Sequence, residues 1–195
     1  MSINIQEISA DQFPRYDAIP NWFKVESVFR VEVIDGGLGF RLVEEQVSEP
    51  FIRDYNSHND DNPTSWSVSF DISQWGIFLA TDDKNRPVGG ATVAIDAPVY
   101  PMDRFQRKDL AVLWDIRVHP DHREQGIGSK LFKYGADWSR RKGYGQLGME
   151  TDSTNVPACR FYLQQGCELG AIHRFGYVGI LEVADNAMLL WYLDL

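Results

Sequence analysis

Apolar and polar positions change period part-way along this 195-residue chain. In the first part apolar residues alternate or come in short runs, the pattern of strands. From about residue 126 they also recur at helical spacing between strand-like runs. Residues 3–8, with Ile3, Ile5 and Ile8, predict a short strand. Residues 10–30 are mixed, and Pro14 and Pro20 stand against a long helix there. After the turn Asp35-Gly-Gly, residues 38–48 predict a strand. The polar stretch 54–66 reads as a surface loop, of the kind that often covers a site. Trp75 to Thr81 and Val88 to Ile95 predict a hairpin, turned by Asp82-Asp-Lys-Asn-Arg-Pro. Pro98 to Lys108 reads as a second loop, and Leu110 to Val118 as a buried strand. A helix over 126–142, a strand over 146–151, a helix over 156–165 and strands near 168–174 and 188–193 follow. This order predicts an α/β architecture: a central mixed sheet with helices on both faces. It suits one domain over 1–195 with its motif-bearing core at about 75–195.

Composition narrows the function classes. Hydrophobic residues make up 44% of the chain and charged residues 24%, as in ordinary folded domains. No apolar run is long enough for a spanning helix. The start, Met-Ser-Ile-Asn-Ile-Gln-Glu, lacks the basic and apolar blocks of a secretory signal, so the expected location is cytoplasmic. A net charge of −9 stands against nucleic acid and anionic membranes as partners; it favours a small cationic substrate, with an acidic surface that serves solubility alone as the alternative. Cys159 and Cys167 form no metal or disulfide spacing, and the four histidines are scattered, so no metal is expected.

The strongest local signal lies between residues 113 and 129. A strand ends at Val118, Pro120 stops pairing, and Gly126 and Gly128 open a helix whose apolar face is Ile127, Leu131, Gly135 and Trp138. Arg140, Arg141 and Lys142 fill its last turn and Gly143 follows as a cap. A strand, a glycine turn and a helix start together make an anion site, because free N–H groups and the helix dipole both face the ligand. Arg123 adds a fixed positive charge. The dinucleotide fingerprint would need a third glycine where Leu131 stands, and the Walker spacing is absent. The pattern Arg123-x-x-Gly126-x-Gly128 resembles the pyrophosphate-binding motif of the GNAT acetyltransferases.

A second segment carries the resemblance further. Asn155-x-x-Ala158-x-x-Phe161-Tyr162-x-x-x-Gly166 is similar to the family's downstream motif. Asn155 stands as a helix N-cap and Pro157 in the first turn. The family has Gly-Phe after this helix where this chain has Gly166-Cys167, and Cys167 is expected to pack as core. Trp114-Asp-Ile, Glu150-Thr, Leu169-Gly-Ala-Ile-His-Arg-Phe and Leu189-Leu-Trp-Tyr together resemble the streptothricin acetyltransferases. The match is firm over 110–195 and faint before it.

The resemblance implies acetyl-CoA as acetyl donor, held in a splayed strand pair. Its expected contacts are Ile116, Arg117, Val118, Arg123, Glu124, Gln125, Gly126, Ile127, Gly128, Ser129, Asn155 and Tyr162. It also implies Tyr162 as the acid that protonates the departing thiolate. Transfer to an alkylamine of pKa ~10 requires a base or a neutralising environment. Asp115 and Glu150 are the two candidates, each with the alternative of a salt bridge or a simple cation attractor. The expected function is acetyl transfer to a primary amine of a small cationic acceptor such as a streptothricin-type antibiotic. The alternatives are a protein or peptide N-acetyltransferase and a non-catalytic acyl-CoA-binding module. The apolar last strand with Trp191-Tyr192 leaves a homodimer open.

Overall fold

The structure is a computed structural model that describes residues 2–56, 62–96, 107–180 and 182–195. Nine strands are described: β1 (Asn4–Glu7), β2 (Trp22–Ile34), β3 (Gly39–Asp54), β4 (Gly76–Thr81), β5 (Pro87–Ala94), β6 (Leu110–Val118), β7 (Gln146–Asp152), β8 (Glu168–His173) and β9 (Met188–Asp194). The described α-helices are α1 (Phe13–Asp17), α2 (Pro63–Ser69), α3 (Ile127–Arg141) and α4 (Val156–Gln164). The mixed α/β class expected from the sequence is borne out. None of the described helices is long and apolar enough to cross a membrane.

The chain forms two units. The first takes Met1–Asn21, Asp54–Gly148 and Asp194–Leu195, and the second Trp22–Arg53 and Met149–Leu193. In the first, the strand order is β1-β4-β5-β6-β7, with β7 entering through its first residues. The pairs β1–β4, β4–β5 and β5–β6 are antiparallel. The β6–β7 ladder is parallel, from Leu110 opposite Gln146 to Val112 opposite Gly148. The β5–β6 ladder runs on to Gly89 opposite Val118, with a bulge where Thr92 faces Asp115 and Val93 faces Leu113, leaving Trp114 as the extra residue.

Two adjacent glycines let helices close on both faces of β5. A Cβ at Gly90 would lie 2.3 Å from the Tyr16 ring, and one at Gly89 would lie 2.9 Å from Leu131. Successive strand residues point to opposite faces, so α1 covers one side and α3 the other. The core between them includes Phe78, Leu79, Ala91, Ile127 and Leu131, each at most 1% exposed. The helix α3 follows its expected bounds and buries Ile127, Leu131, Gly135 and Trp138 as expected.

The β4–β5 turn is a small electrostatic device. Asp82 Oδ1 accepts from the backbone N–H groups of Lys84 and Arg86 at 2.9 and 2.8 Å, and Oδ2 accepts from Arg86 Nε at 2.7 Å. Above all the Arg86 amide, with the other donors, holds this carboxyl at about 2, against burial that pushes it up. A depressed carboxylate contributes stability that is present above its unfolded pKa of ~3.9 and lost as pH falls through its folded value. Asp82→Asn is therefore expected to be less stable than the wild type in urea at neutral pH. The gap should close between about pH 4 and pH 2. A gap independent of pH would mean the carboxylate charge is not what counts.

The second unit holds the end of β7 beside β9 and β8, and the separate two-stranded sheet β2–β3. Its core takes Val25, Met149, Cys159, Leu189 and Trp191. Ser153 N–H donates to Ala187 O and Phe29 N–H to Ser153 O, tying the end of β7 to β9 and β2. Trp191 is 3% exposed and packs on Tyr162 at 6.2 Å between ring centroids, so its ring belongs to this core.

Several local expectations need correction. Residues 10–30, read as mixed, contain α1 and most of β2. Pro14 sits in the first turn of α1, where no helical N–H is needed. The strand expected over 38–48 extends to Asp54. The stretch 54–66 was expected to be all loop, yet α2 begins within it at Pro63, where Asn62 and Ser65 form a reciprocal capping box. Residues 57–61 of that stretch, and 98–106 of the second loop, lie outside the described residues.

Candidate active site

In the first unit, Arg123 to Ser129 form the turn and helix start that the sequence pointed to. After β6, a 3-10 turn over Pro120–His122 reverses the chain. Arg123 follows in extended backbone, and its Nε donates to Val118 O at 3.2 Å, fastening the turn to the strand end. Glu124 takes a positive φ of 60° and Gly126 one of 75°. Gly126 is the N-cap of α3, with nothing within 4 Å of where a Cβ would stand. Glu124, Gln125 and Gly126 are exposed, while Gly128 and Ser129 are half-buried. The first intrahelical bond is Lys130 N–H to Gly126 O at 3.1 Å, so the amides of Ile127, Gly128 and Ser129 precede the ladder and point out of the helix start. Open space, aligned amides and the positive end of a 15-residue helix suit a phosphate group.

Upstream on β6, Asp115 and Arg117 face the same side and form a bidentate pair, Nε to Oδ2 and Nη2 to Oδ1, both at 2.9 Å. The Tyr16 hydroxyl donates to Asp115 Oδ2 at 2.7 Å, and the Arg117 guanidinium lies 5.3 Å from the Tyr16 ring centre. Asn21 Nδ2 reaches Oδ1 at 3.4 Å, and Arg117 Nη1 reaches Asn56 Oδ1 at 3.4 Å. The Arg117 side chain is 1% exposed and that of Asp115 11%. Burial alone would lower the Arg117 guanidinium, but Asp115, Tyr16 and Asp17 together more than offset it and hold it above its ordinary range. Burial, then the Asp115 charge, raises the Tyr16 phenol well above its ordinary value. Both Asp115 oxygens thus already accept from strong donors, which ties this carboxylate into a structural pair. Ile116 and Val118 sit on the same strand, half-buried.

In the second unit, Glu150 lies near the end of β7 between the buried Met149 and Thr151. It is half-buried, and Tyr177 donates its hydroxyl to Oε1 at 2.6 Å. Burial raises this carboxyl above its ordinary range, the Tyr177 hydroxyl pulls it back, and the Asp152 charge adds to the rise. Asn155 caps α4 as expected: its side chain accepts from Ala158 N–H at 3.1 Å. Tyr162 on α4 is 6% exposed, between Phe161 and Trp191. Cys167 packs as core, with its thiol 3.8 Å from Met149 Sδ. Burial pushes Cys159 up to about 12 and Cys167 to about 11, which leaves neither thiol nucleophilic near neutrality. Among the described residues no group of three or more His, Cys, Asp or Glu is placed to hold a metal ion.

Sequence reading missed Tyr16, Asn21, Asn56 and Tyr177. Tyr16 meets Asp115 across 99 positions of chain and Tyr177 meets Glu150 across 27, and no local pattern announces either contact.

A strand leading through an open glycine turn into a helix start, with Arg123 fastened beside it, is an arrangement in an α/β fold that suits an anionic group. The model of the Acetyltransferase (GNAT) family matches residues 40–167, so the chain belongs to that family and is an acetyltransferase. Two relatives span most of it. A streptothricin acetyltransferase of Escherichia coli is 28% identical over 172 residues, 88% of this chain and 85% of the relative. One of Streptomyces lavendulae is 26% identical over 166 residues, 85% of this chain and 82% of the relative. Among solved structures, a Bacillus anthracis protein in complex with acetyl coenzyme A shares the fold, with a TM-score of 0.78 at 20% identity over 100% of both chains. The resemblance stated from the motifs is borne out.

Proposed function

We propose that the protein transfers the acetyl group of acetyl-CoA to a primary amine of a small cationic acceptor, of the streptothricin kind on which its relatives are named to act. The observation that carries the donor is the turn at Arg123 to Ser129. Its αL glycine, its open space and its outward amides fit a pyrophosphate, and acetyl-CoA is the ligand of the Bacillus anthracis neighbour. The acceptor reading rests on relatives that align over most of this chain and on its net charge of −9.

The chemistry assigns one task to each residue. The outer edge of β6 at Ile116, Arg117 and Val118 offers backbone groups to the pantetheine amides and one N–H to the developing oxyanion. Glu124, Gln125, Ile127 and Gly128 complete the phosphate cradle, and Asn155 supports the pantetheine arm. Glu150 removes the proton from the attacking nitrogen, directly or through a water. The nitrogen bonds to the thioester carbonyl carbon, the tetrahedral adduct collapses, and the carbon–sulfur bond breaks. Tyr162 gives its proton to the leaving thiolate, yielding an acetamide and free CoA thiol. Asp115, already paired with Arg117 and Tyr16, holds the shape of β6 near its bulge.

A protein that binds acetyl-CoA in the folded state alone is stabilised by it. At about 100 times the dissociation constant the gain is roughly 2.7 kcal/mol. Thermal unfolding with acetyl-CoA is expected to show a clear rise in midpoint, and desulfo-CoA should retain most of it. An unchanged midpoint at millimolar acetyl-CoA would remove the donor assignment.

A further inference from the structure

Glu150 has a neighbour to which the steps above give no task. Tyr177 lies in the segment between β8 and β9, a run of tight turns: Gly176 N–H to His173 O, Ile180 N–H to Tyr177 O and Val183 N–H to Ile180 O. These turns hold the ring half-buried, with its hydroxyl 2.6 Å from Glu150 Oε1, within the short range of a phenol bound to a carboxylate. Glu150 Oε2 accepts no hydrogen bond among the described residues. One carboxylate edge is thus fixed and the other is left for a proton.

We propose that Tyr177 is a positioning residue for proton removal: its hydroxyl fixes the Oε1 edge of Glu150 and turns Oε2 toward the acceptor nitrogen. The inference rests on Glu150 being the base. In the step, the nitrogen's proton passes to Oε2 while Tyr177 keeps its own, so no proton is lost from the pair. Two groups of this unit act on Glu150, Tyr177 from the turn segment and Asp152 from β7. Asp152 is itself engaged by the Thr154 N–H and hydroxyl and by Asn186, so it stays a fixed neighbour rather than a second base. Burial and Asp152 raise the Glu150 carboxyl, and the Tyr177 hydroxyl is the group that opposes them. Without that hydroxyl the base becomes harder to ionise, and activity should begin at higher pH.

The test is the pH dependence of kcat/KM in four proteins: wild type, Tyr177→Phe, Glu150→Gln and the double variant. Phenylalanine keeps the ring, and thermal unfolding of each variant separates lost folding from lost chemistry. Expected for Tyr177→Phe are an acid limb moved to higher pH, a plateau kcat lower by about tenfold and an acceptor KM within a few-fold of wild type. Glu150→Gln should lose the acid limb and most of the rate, and adding Tyr177→Phe to it should cost little more. Wild-type rate and profile in Glu150→Gln would end the reading of Glu150 as the base. If Glu150→Gln is inactive but Tyr177→Phe keeps the wild-type profile, the base stands and the positioning role falls. It falls equally if Tyr177→Phe raises only the acceptor KM, or costs as much in the Glu150→Gln background as alone.

Discussion

Tyr162→Phe is expected to lower kcat by about 10²–10⁴ while leaving acetyl-CoA binding nearly unchanged. The tyrosine ring is 6% exposed and packs against Phe161 and Trp191. Phenylalanine keeps that packing, so the loss should appear in turnover rather than in the melting temperature. The chemical reason is the leaving group. An alkyl thiolate departs poorly unless it is protonated as the carbon–sulfur bond breaks, and the phenol is the proposed donor. An acetyl thioester of a more acidic thiol needs that proton less, so the deficit of the variant should shrink with such a donor. Full turnover in Tyr162→Phe would take the residue out of the mechanism and leave it as a core aromatic.

Gly126→Asp is the second large effect expected. Gly126 has φ 75° and open space around the missing Cβ, and aspartate is among the residues that tolerate this backbone best. The fold should survive. Its carboxylate, however, would stand where the phosphates are proposed to lie. A like charge at close range costs roughly 1–4 kcal/mol near a protein surface, or about five- to a thousand-fold in affinity. Gly126→Asn is the control, nearly the same shape without the charge. Calorimetric titration with acetyl-CoA should show weak or no binding to the aspartate variant and markedly better binding to the asparagine variant. Equal, wild-type affinity in both would make the turn a structural feature only.

The parts of the fold legible in the sequence are those whose physics is local. The start of α3 is written in Gly126 and Gly128, and its buried face in the spacing of Ile127, Leu131, Gly135 and Trp138. Asn155 and Pro157 mark the first turn of α4 in the same way. The strand β2 was missed although its signal is present: Phe23, Val25 and Ser27 are buried while Lys24 and Glu26 are exposed. Pro14 and Pro20 precede that alternation without breaking it, since one opens α1 and the other stands just before β2. The segment Asn62-Pro-Thr-Ser looked like a loop by composition, and it is the capped start of α2. Trp191, weighed as part of a dimer surface, is core within its own unit. For the site, Asp115 and Glu150 were equal in the sequence because both are carboxylates on strands. They differ in their partners. Arg117 and Tyr16 occupy both oxygens of Asp115, whereas Tyr177 occupies one edge of Glu150. Such contacts join distant parts of the chain and have no period to read.

The central claim is acetyl transfer from acetyl-CoA to a small cationic amine. It is tested most directly by release of free CoA thiol, with product mass, across streptothricin, polyamines, aminoglycosides and lysine peptides. The account predicts thiol release that depends on a streptothricin-type acceptor, matched one for one by a product heavier by a single acetyl group. Tight acetyl-CoA binding with no turnover on any amine, or turnover confined to the lysine peptides, would contradict it.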